Sequence, residues 1–393
     1  MQIAILGAGV AGVASAIALT QQGFDVTVHE RRDADANIGA GIVVWPNAAF
    51  VLDQLGMLDE IAAAAGRPRT MCRLSQHGEA LGTLDIGRID ARMGYPSLSI
   101  LRTDFQRILM DKLRALGVPV QYGRRAEHIE APDGAGARVR FGDGTTLTAD
   151  LIVGADGRMA SCARRYVTGS NAPVYQRFVN WIGVYEGPAL PLDADAVLDV
   201  WGTGERFGIV SIAPGKAYWA GAAAQDTVGA RDPAAYRDEL RRFAGWPEPV
   251  RQVIAGTPAA RINKIHVHDH DPVPVWHRDN VLLVGDAAHA ALPTSGQGAC
   301  QALEDAWHLA RCVAAHPHDP DDAFAAFTRL RLEKTAGITM AGRSVAAALF
   351  NPDEAFCRTR DANSRSADFA GLAAAMADGW SRHLPLPARA AAG

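Results

Sequence analysis

Three glycine-rich stretches hold the residues best placed to do chemistry. The first is Gly7-Ala8-Gly9-Val10-Ala11-Gly12, followed by Glu30 18 residues after Gly12. A tight turn at Gly7, an open approach at Gly9 and close packing at Gly12 let backbone N–H groups meet a pyrophosphate, and Glu30 can accept hydrogen bonds from a ribose. The helix that follows directs its positive end at the phosphate charge. This fingerprint alone does not separate FAD from NAD. The second stretch is Gly154-Ala155-Asp156-Gly157, and the third is Gly285-Asp286-Ala287-Ala288-His289 continued by Pro293-Thr294-Ser295-Gly296-Gln297-Gly298. Both put an aspartate at the C-terminal end of a strand run, the edge where open α/β sheets bind ligands. Asp286 can accept from a ribityl hydroxyl. Gly296 and Gly298 bare backbone N–H groups at a helix start, which suits a reduced flavin with negative charge at N1–C2=O.

The elements that must position these residues follow from the hydrophobic pattern. Residues 2–6 form an apolar strand, 10–22 a helix and 25–30 an alternating strand, the opening of a dinucleotide-binding unit. Helices are expected over 48–64 and 103–116, the latter with Thr103 as N-cap, and strands over 118–122, 137–141 and 145–153. From about residue 175 to 218 the texture turns β-branched and aromatic, broken by Gly and Pro, as in a separate strand-rich domain. Helices interrupt it at 233–243 and around Val250. A buried strand at 280–284 leads into Gly285-Asp286, 298–314 is helical, and the Ala-rich end of the chain reads as helix.

Composition narrows the class. With 393 residues, one core is too few and two domains are expected. Hydrophobic residues at 48% and charged residues at 21% describe an ordinary globular protein and exclude disorder. A net charge of −4 gives no basic footprint, so nucleic acid is not an expected partner. No run of about 18 uncharged apolar residues occurs, so no membrane span is expected. The apolar N-terminus lacks the basic region of a signal peptide. Cys72, Cys162, Cys300, Cys312 and Cys357 are odd in number and scattered, as in a cytoplasmic protein with reduced thiols and no zinc knuckle.

In order and spacing, the three motifs resemble the FAD-dependent class A aromatic monooxygenases, which have the p-hydroxybenzoate hydroxylase fold. Gly41-Ile42 with Trp45-Pro46-Asn47, and Leu101-Arg102 before an amphipathic helix, are also similar. The resemblance covers about residues 1–335. It implies an α/β fold: a Rossmann-type FAD-binding domain (1–72, 101–170 and 275–330), an inserted β-sheet substrate domain (73–100 and 171–274) and C-terminal helices (331–393). It implies FAD held by Gly7, Gly9, Gly12, Glu30, Arg31, Gly41, Ile42, Arg102, Asp156, Asp286, Gly296 and Gly298. NADH or NADPH would reduce the flavin, binding transiently because only one dinucleotide fold is visible. O2 would then give a C4a-hydroperoxyflavin that hydroxylates an electron-rich aromatic or heteroaromatic ring. The chain would be a monomer or homodimer with no metal.

Within that family, Phe178-Val179-Asn180-Trp181, Phe243-Ala244-Gly245-Trp246, Gly204-Glu205-Arg206 and Gly215-Lys216-Ala217-Tyr218 are most similar to bacterial FAD-dependent urate hydroxylases. That implies Arg206 and Tyr218 as catalytic residues facing the substrate from adjacent strands, an arginine to neutralise an anionic ring and a tyrosine to orient it. An exposed strand arginine and a core tyrosine remain the plain alternative. Salicylate or 6-hydroxynicotinate hydroxylation and a non-oxygenating flavin oxidoreductase are the rival functions. One departure stands out: the loop Arg158-Met159-Ala160-Ser161 runs one residue longer than the family pattern after Asp156-Gly157, near the expected nicotinamide approach. Two features read as decoys. His266, His268 and His270 alternate like metal ligands but read as a solvated polar face, and His289 reads as structural and flavin-proximal rather than a general base.

Overall fold

The computed structural model describes residues 1–34, 40–131 and 136–386. Strand Gln2–Leu6 buries every side chain after Gln2, as a central parallel strand covered on both faces requires. It lies between Asp25–His29 and Leu151–Gly154, both parallel to it. The full sheet runs His277–Arg278, Val281–Leu283, Leu151–Gly154, Gln2–Leu6, Asp25–His29, Val120–Gln121, and only the His277–Arg278 edge is antiparallel. The helices Val10–Gln21 and Gly298–Ala315 pack on each other, and Arg102–Ala115 packs on the first of them. All three motifs thus meet at the C-terminal ends of adjacent strands.

A seven-stranded sheet forms the second layer. Its order is Asn263–Asp269, Val174–Glu186, Lys216–Ala224, Glu205–Ala213, Ala196–Trp201, Thr70–Ser75, Ala80–Asp85. Alternation along these strands sorts their side chains onto two faces. Val179, Trp181, Phe207, Ile209 and Trp219 point to one face, under Tyr236, Phe243, Trp246 and Val250 from the segment between the last two long strands. That face is a closed core. Arg206, Gly208 and Tyr218 belong to the other face.

Three helices complete the chain: Pro320–Leu349, Glu354–Arg365 and Phe369–Ser381. The last packs on helix Ile86–Met93 and strand Ala80–Asp85. Some expected boundaries shift for local reasons. The 48–64 helix splits into Pro46–Gln54 and Leu58–Ala63, because Gly56 adopts φ 69° and ends the first. Helix Arg102–Ala115 has Leu101, not Thr103, at its N-cap, with no side-chain cap. The 145–153 strand is two, Thr146–Ala149 in a small antiparallel sheet and Leu151–Gly154 in the parallel one.

Candidate active site

Glycine does different work at each position of the first loop. A Cβ on Gly7, which has φ 109°, would lie 2.4 Å from the Ala155 carbonyl oxygen, and one on Gly12 would lie 1.9 Å from that of Gly7. At Gly9 a Cβ would meet nothing within 4 Å. Gly7 and Gly12 are demanded by packing, whereas Gly9 opens the backbone outward. Helix Val10–Gln21 starts there without a side-chain cap, so its first N–H groups stay available to an anion. Buried Glu30 accepts from Ala8 N–H at 2.8 Å through Oε2 and from Arg32 N–H at 2.9 Å through Oε1. It therefore ties the loop to the second strand, and each oxygen keeps a lone pair for a hydroxyl. Arg31 is exposed just beyond it.

The other two motifs face each other. Asp286 follows Gly285, whose φ is 57°, and its Oδ2 accepts from Arg158 at 2.9 Å. The loop after Asp156-Gly157 supplies that arginine. Arg102, at the start of its helix, is exposed. Desolvation lowers the pKa of its guanidinium, Asp286 opposes that shift, and Arg158 and Arg32 add to it. Arg102 and Arg158 lie near Asp286, while Arg32 pairs with Glu30 at 3.9 Å, so three arginines face two carboxylates and leave a positive excess that fits a pyrophosphate. Gly296, with φ 63°, offers its carbonyl to Trp45 Nε1 at 2.9 Å, and Gly298 opens the helix Gly298–Ala315. Gly41 and Ile42 lie on the strand Gly41–Val44, against Leu98–Leu101.

Asp156 is engaged by its own loop and helix. Its Oδ1 accepts from Ser161 Oγ at 2.5 Å, and its Oδ2 accepts from Cys162 and Ala163 N–H at 2.6 and 3.2 Å. Burial pushes its pKa up while these bonds pull it down. The carboxylate organises the start of helix Cys162–Thr168.

The open face of the large sheet carries the second half of the site. Arg206 stands opposite Trp201 and Ala222, and Tyr218 stands opposite Val210 and Val184. Between them the pair Gly208 and Ala220 has no side chain beyond Cβ, so a flat floor separates the two polar groups. The Tyr218 ring rests on Gly41, where a Cβ would sit 2.1 Å from its Cδ1. Burial raises the Tyr218 pKa, so its hydroxyl stays a neutral donor. Arg206 Nε donates to Asp199 Oδ1 at 2.6 Å, and Trp201 Nε1 donates to Oδ2 at 2.9 Å. Phe350, stacked on Phe178 at 4.1 Å, stands at the end beyond Arg206.

Residues 1–323 match the family described as FAD binding domain. The chain belongs to the FAD-dependent aromatic-ring monooxygenases. The monooxygenase is 33% identical over 338 residues to aurachin C monooxygenase/isomerase of Stigmatella aurantiaca, which spans 85% of this chain and 86% of that one. It is 32% identical over 351 residues to the FAD-dependent urate hydroxylase of Mycolicibacterium vanbaalenii, covering 87% of each. The crystal structure of Klebsiella pneumoniae HpxO complexed with FAD and uric acid superposes with a TM-score of 0.88 at 29% identity, covering 97% of this chain and 96% of that one.

Sequence reasoning missed a buried ionic cluster beneath the monooxygenase's third motif. Glu304, Asp305 and Arg331 are fully buried, and Lys334 is nearly so. Asp305 accepts from Gly285 N–H at 2.7 Å, His289 Nε2 at 2.6 Å and Arg331 Nε at 2.8 Å. His289 is thus a structural partner of the motif's own turn. The alternating histidines are not a solvated face. His266 and His270 are buried and bonded, to Gly229 N–H at 3.0 Å and to the Arg158 carbonyl at 2.9 Å. Among the described residues no cluster could hold a metal ion, and no helix is long and apolar enough to cross a membrane.

Proposed function

We propose that the monooxygenase hydroxylates a planar, anionic heteroaromatic ring of the urate type, lying on the Gly208–Ala220 floor between Arg206 and Tyr218. The observation that carries this reading is the Arg206–Asp199 pair. Asp199 holds Nε, so the two terminal nitrogens of the guanidinium present a planar fork to an enolate or carboxylate. Tyr218, held against Gly41, donates its hydroxyl to a ring carbonyl and fixes the ring's angle. Apolar side chains and the pair Phe178–Phe350 keep water from the floor.

Bound FAD supplies the oxygen-transfer chemistry after reduction by NADH or NADPH. Gly9 and the first N–H groups of helix Val10–Gln21 take its pyrophosphate together with Arg102, Arg32 and Arg158, and Glu30 takes the ribose. Asp286 would accept from the ribityl chain. The first N–H groups of helix Gly298–Ala315 offset negative charge on the reduced ring. The free cysteines suit a reducing, cytoplasmic setting, in which the chain acts as monomer or homodimer.

Urate, salicylate and 6-hydroxynicotinate should be compared for acceleration of flavin reduction by NADH and NADPH. Urate is expected to accelerate it most. Faster reduction with salicylate or 6-hydroxynicotinate, and none with urate, would move the assignment to those acids.

A further inference from the structure

The C-terminal helix has no motif, yet two separate chains of contacts run from it to the loop 293–298. Its last turn has carbonyls with no helical partner. Lys334 Nζ donates to the carbonyls of Trp380 and Arg382 at 2.6 and 3.0 Å, and to Glu304 Oε2 at 2.8 Å. Glu304 Oε1 accepts from Asn47 Nδ2 at 2.7 Å, and the same Nδ2 donates to Gln297 Oε1 at 2.9 Å. The second route is aromatic. The Trp380 and Trp45 rings lie 4.9 Å apart, and Trp45 Nε1 donates to the Gly296 carbonyl at 2.9 Å. Both routes end on neighbouring residues of one loop, immediately before the helix that starts at Gly298.

We infer that helix Phe369–Ser381 positions the flavin-facing loop, with Lys334 and Trp380 as its positioning residues. This rests on the reading that the start of helix Gly298–Ala315 faces the flavin ring. Neither residue touches the ring. They hold Gly296 and Gln297, and so fix where the first N–H groups of that helix point. Those groups stabilise the anionic reduced ring, so releasing the loop should disfavour reduction while leaving the ribose and pyrophosphate contacts intact. A buried cation removed alone leaves Glu304 short of a partner, and the test must separate that damage from loss of the tether.

The experiment uses FAD-loaded enzyme and measures the reduction potential of bound flavin, its visible spectrum and FAD dissociation. Lys334→Met/Glu304→Gln removes both charges and the tether to Trp380 and Arg382 while keeping an acceptor for Asn47. Trp380→Leu removes the ring against Trp45 and leaves the main-chain carbonyl that Lys334 holds. Both should retain FAD within about tenfold of wild type, with a more negative potential and an altered flavin spectrum. Wild-type potential and spectrum in both variants, whatever their melting temperatures, would overturn the inference and leave the helix merely structural. If the potential moves in one variant only, the two-route claim falls. Wild-type enzyme that takes up no FAD would instead overturn the cofactor reading itself.

Discussion

Arg206 comes to the open face of the large sheet already paired, its Nε 2.6 Å from Oδ1 of Asp199. Asp199 is buried, and Arg73 Nε lies 3.9 Å from its other oxygen. An arginine held this way acts as an oriented fork rather than a mobile charge. Arg206→Gln should keep FAD and the fold but weaken substrate binding or oxygen transfer by about 2–5 kcal/mol, the scale for losing a buried charged partner. Arg206→Lys should rescue only in part. Asp199→Asn should keep FAD and raise the substrate KM by about tenfold, since the fork loses its ionic anchor. Steady-state kinetics on the FAD-loaded variants provide the check, and wild-type turnover in Arg206→Gln would remove the arginine from the site.

Gly9→Asp should yield largely apoprotein, because its carboxylate would occupy the space where a pyrophosphate meets the first N–H groups of the helix. Asp286→Ala should do the same by removing an acceptor for the ribityl chain. Flavin absorbance of the purified variants reads both directly. Full FAD content in both would contradict the cleft assignment.

Gly41→Ala tests whether Tyr218 is held in place by the strand beneath it. The added Cβ would collide with the ring 2.1 Å away, so the tyrosine must swing from its position. Turnover should drop in Gly41→Ala and in Tyr218→Phe, and the double variant should lose little more than the worse single. Additive losses would show that the two residues act independently.

Acid should destabilise the fold below neutrality. Burial and Arg124 depress His29 to about 4, and burial with Arg331 depresses His308 to about 3, against an ordinary value near 6.5. As pH falls through 6.5 the unfolded chain takes up protons that these folded histidines refuse. Stability is therefore complete above that pH and is lost progressively toward pH 4 and then 3. For His29 alone the loss is about 3 kcal/mol. Denaturant titrations at pH 7 and pH 4.5 should show the drop, and His29→Gln should flatten it. An unchanged slope in that variant would remove His29 as a cause.

The turn of the first glycine loop was legible because glycine reports backbone geometry directly. Gly7 and Gly12 are forced by carbonyl oxygens that leave no room for a Cβ. The shared face of Arg206 and Tyr218 follows from strand alternation once the hairpin register is known. Asp199 was not legible, because its pairing depends on the register of a third strand. The bonds that Asp156 accepts from Ser161, Cys162 and Ala163 were not legible, because they depend on how the loop folds back over the strand end. Gly56 was a legible stop signal within the 48–64 run, and the structure ends the helix there. The ionic cluster was beyond reach. Its acids, Glu304 and Asp305, lie on one helix and its cations, Arg331 and Lys334, on the next, and no local pattern distinguishes them from surface charges.

The most direct test is a reaction of the FAD-loaded enzyme with urate and NADH or NADPH under isotopically heavy oxygen gas, followed by mass analysis of the product. Ring hydroxylation requires one heavy oxygen atom in the product for each NAD(P)H consumed, and Arg206→Gln should uncouple the two. NAD(P)H consumption that yields only hydrogen peroxide, with no labelled product from urate, salicylate or 6-hydroxynicotinate, would contradict oxygen transfer to such a ring.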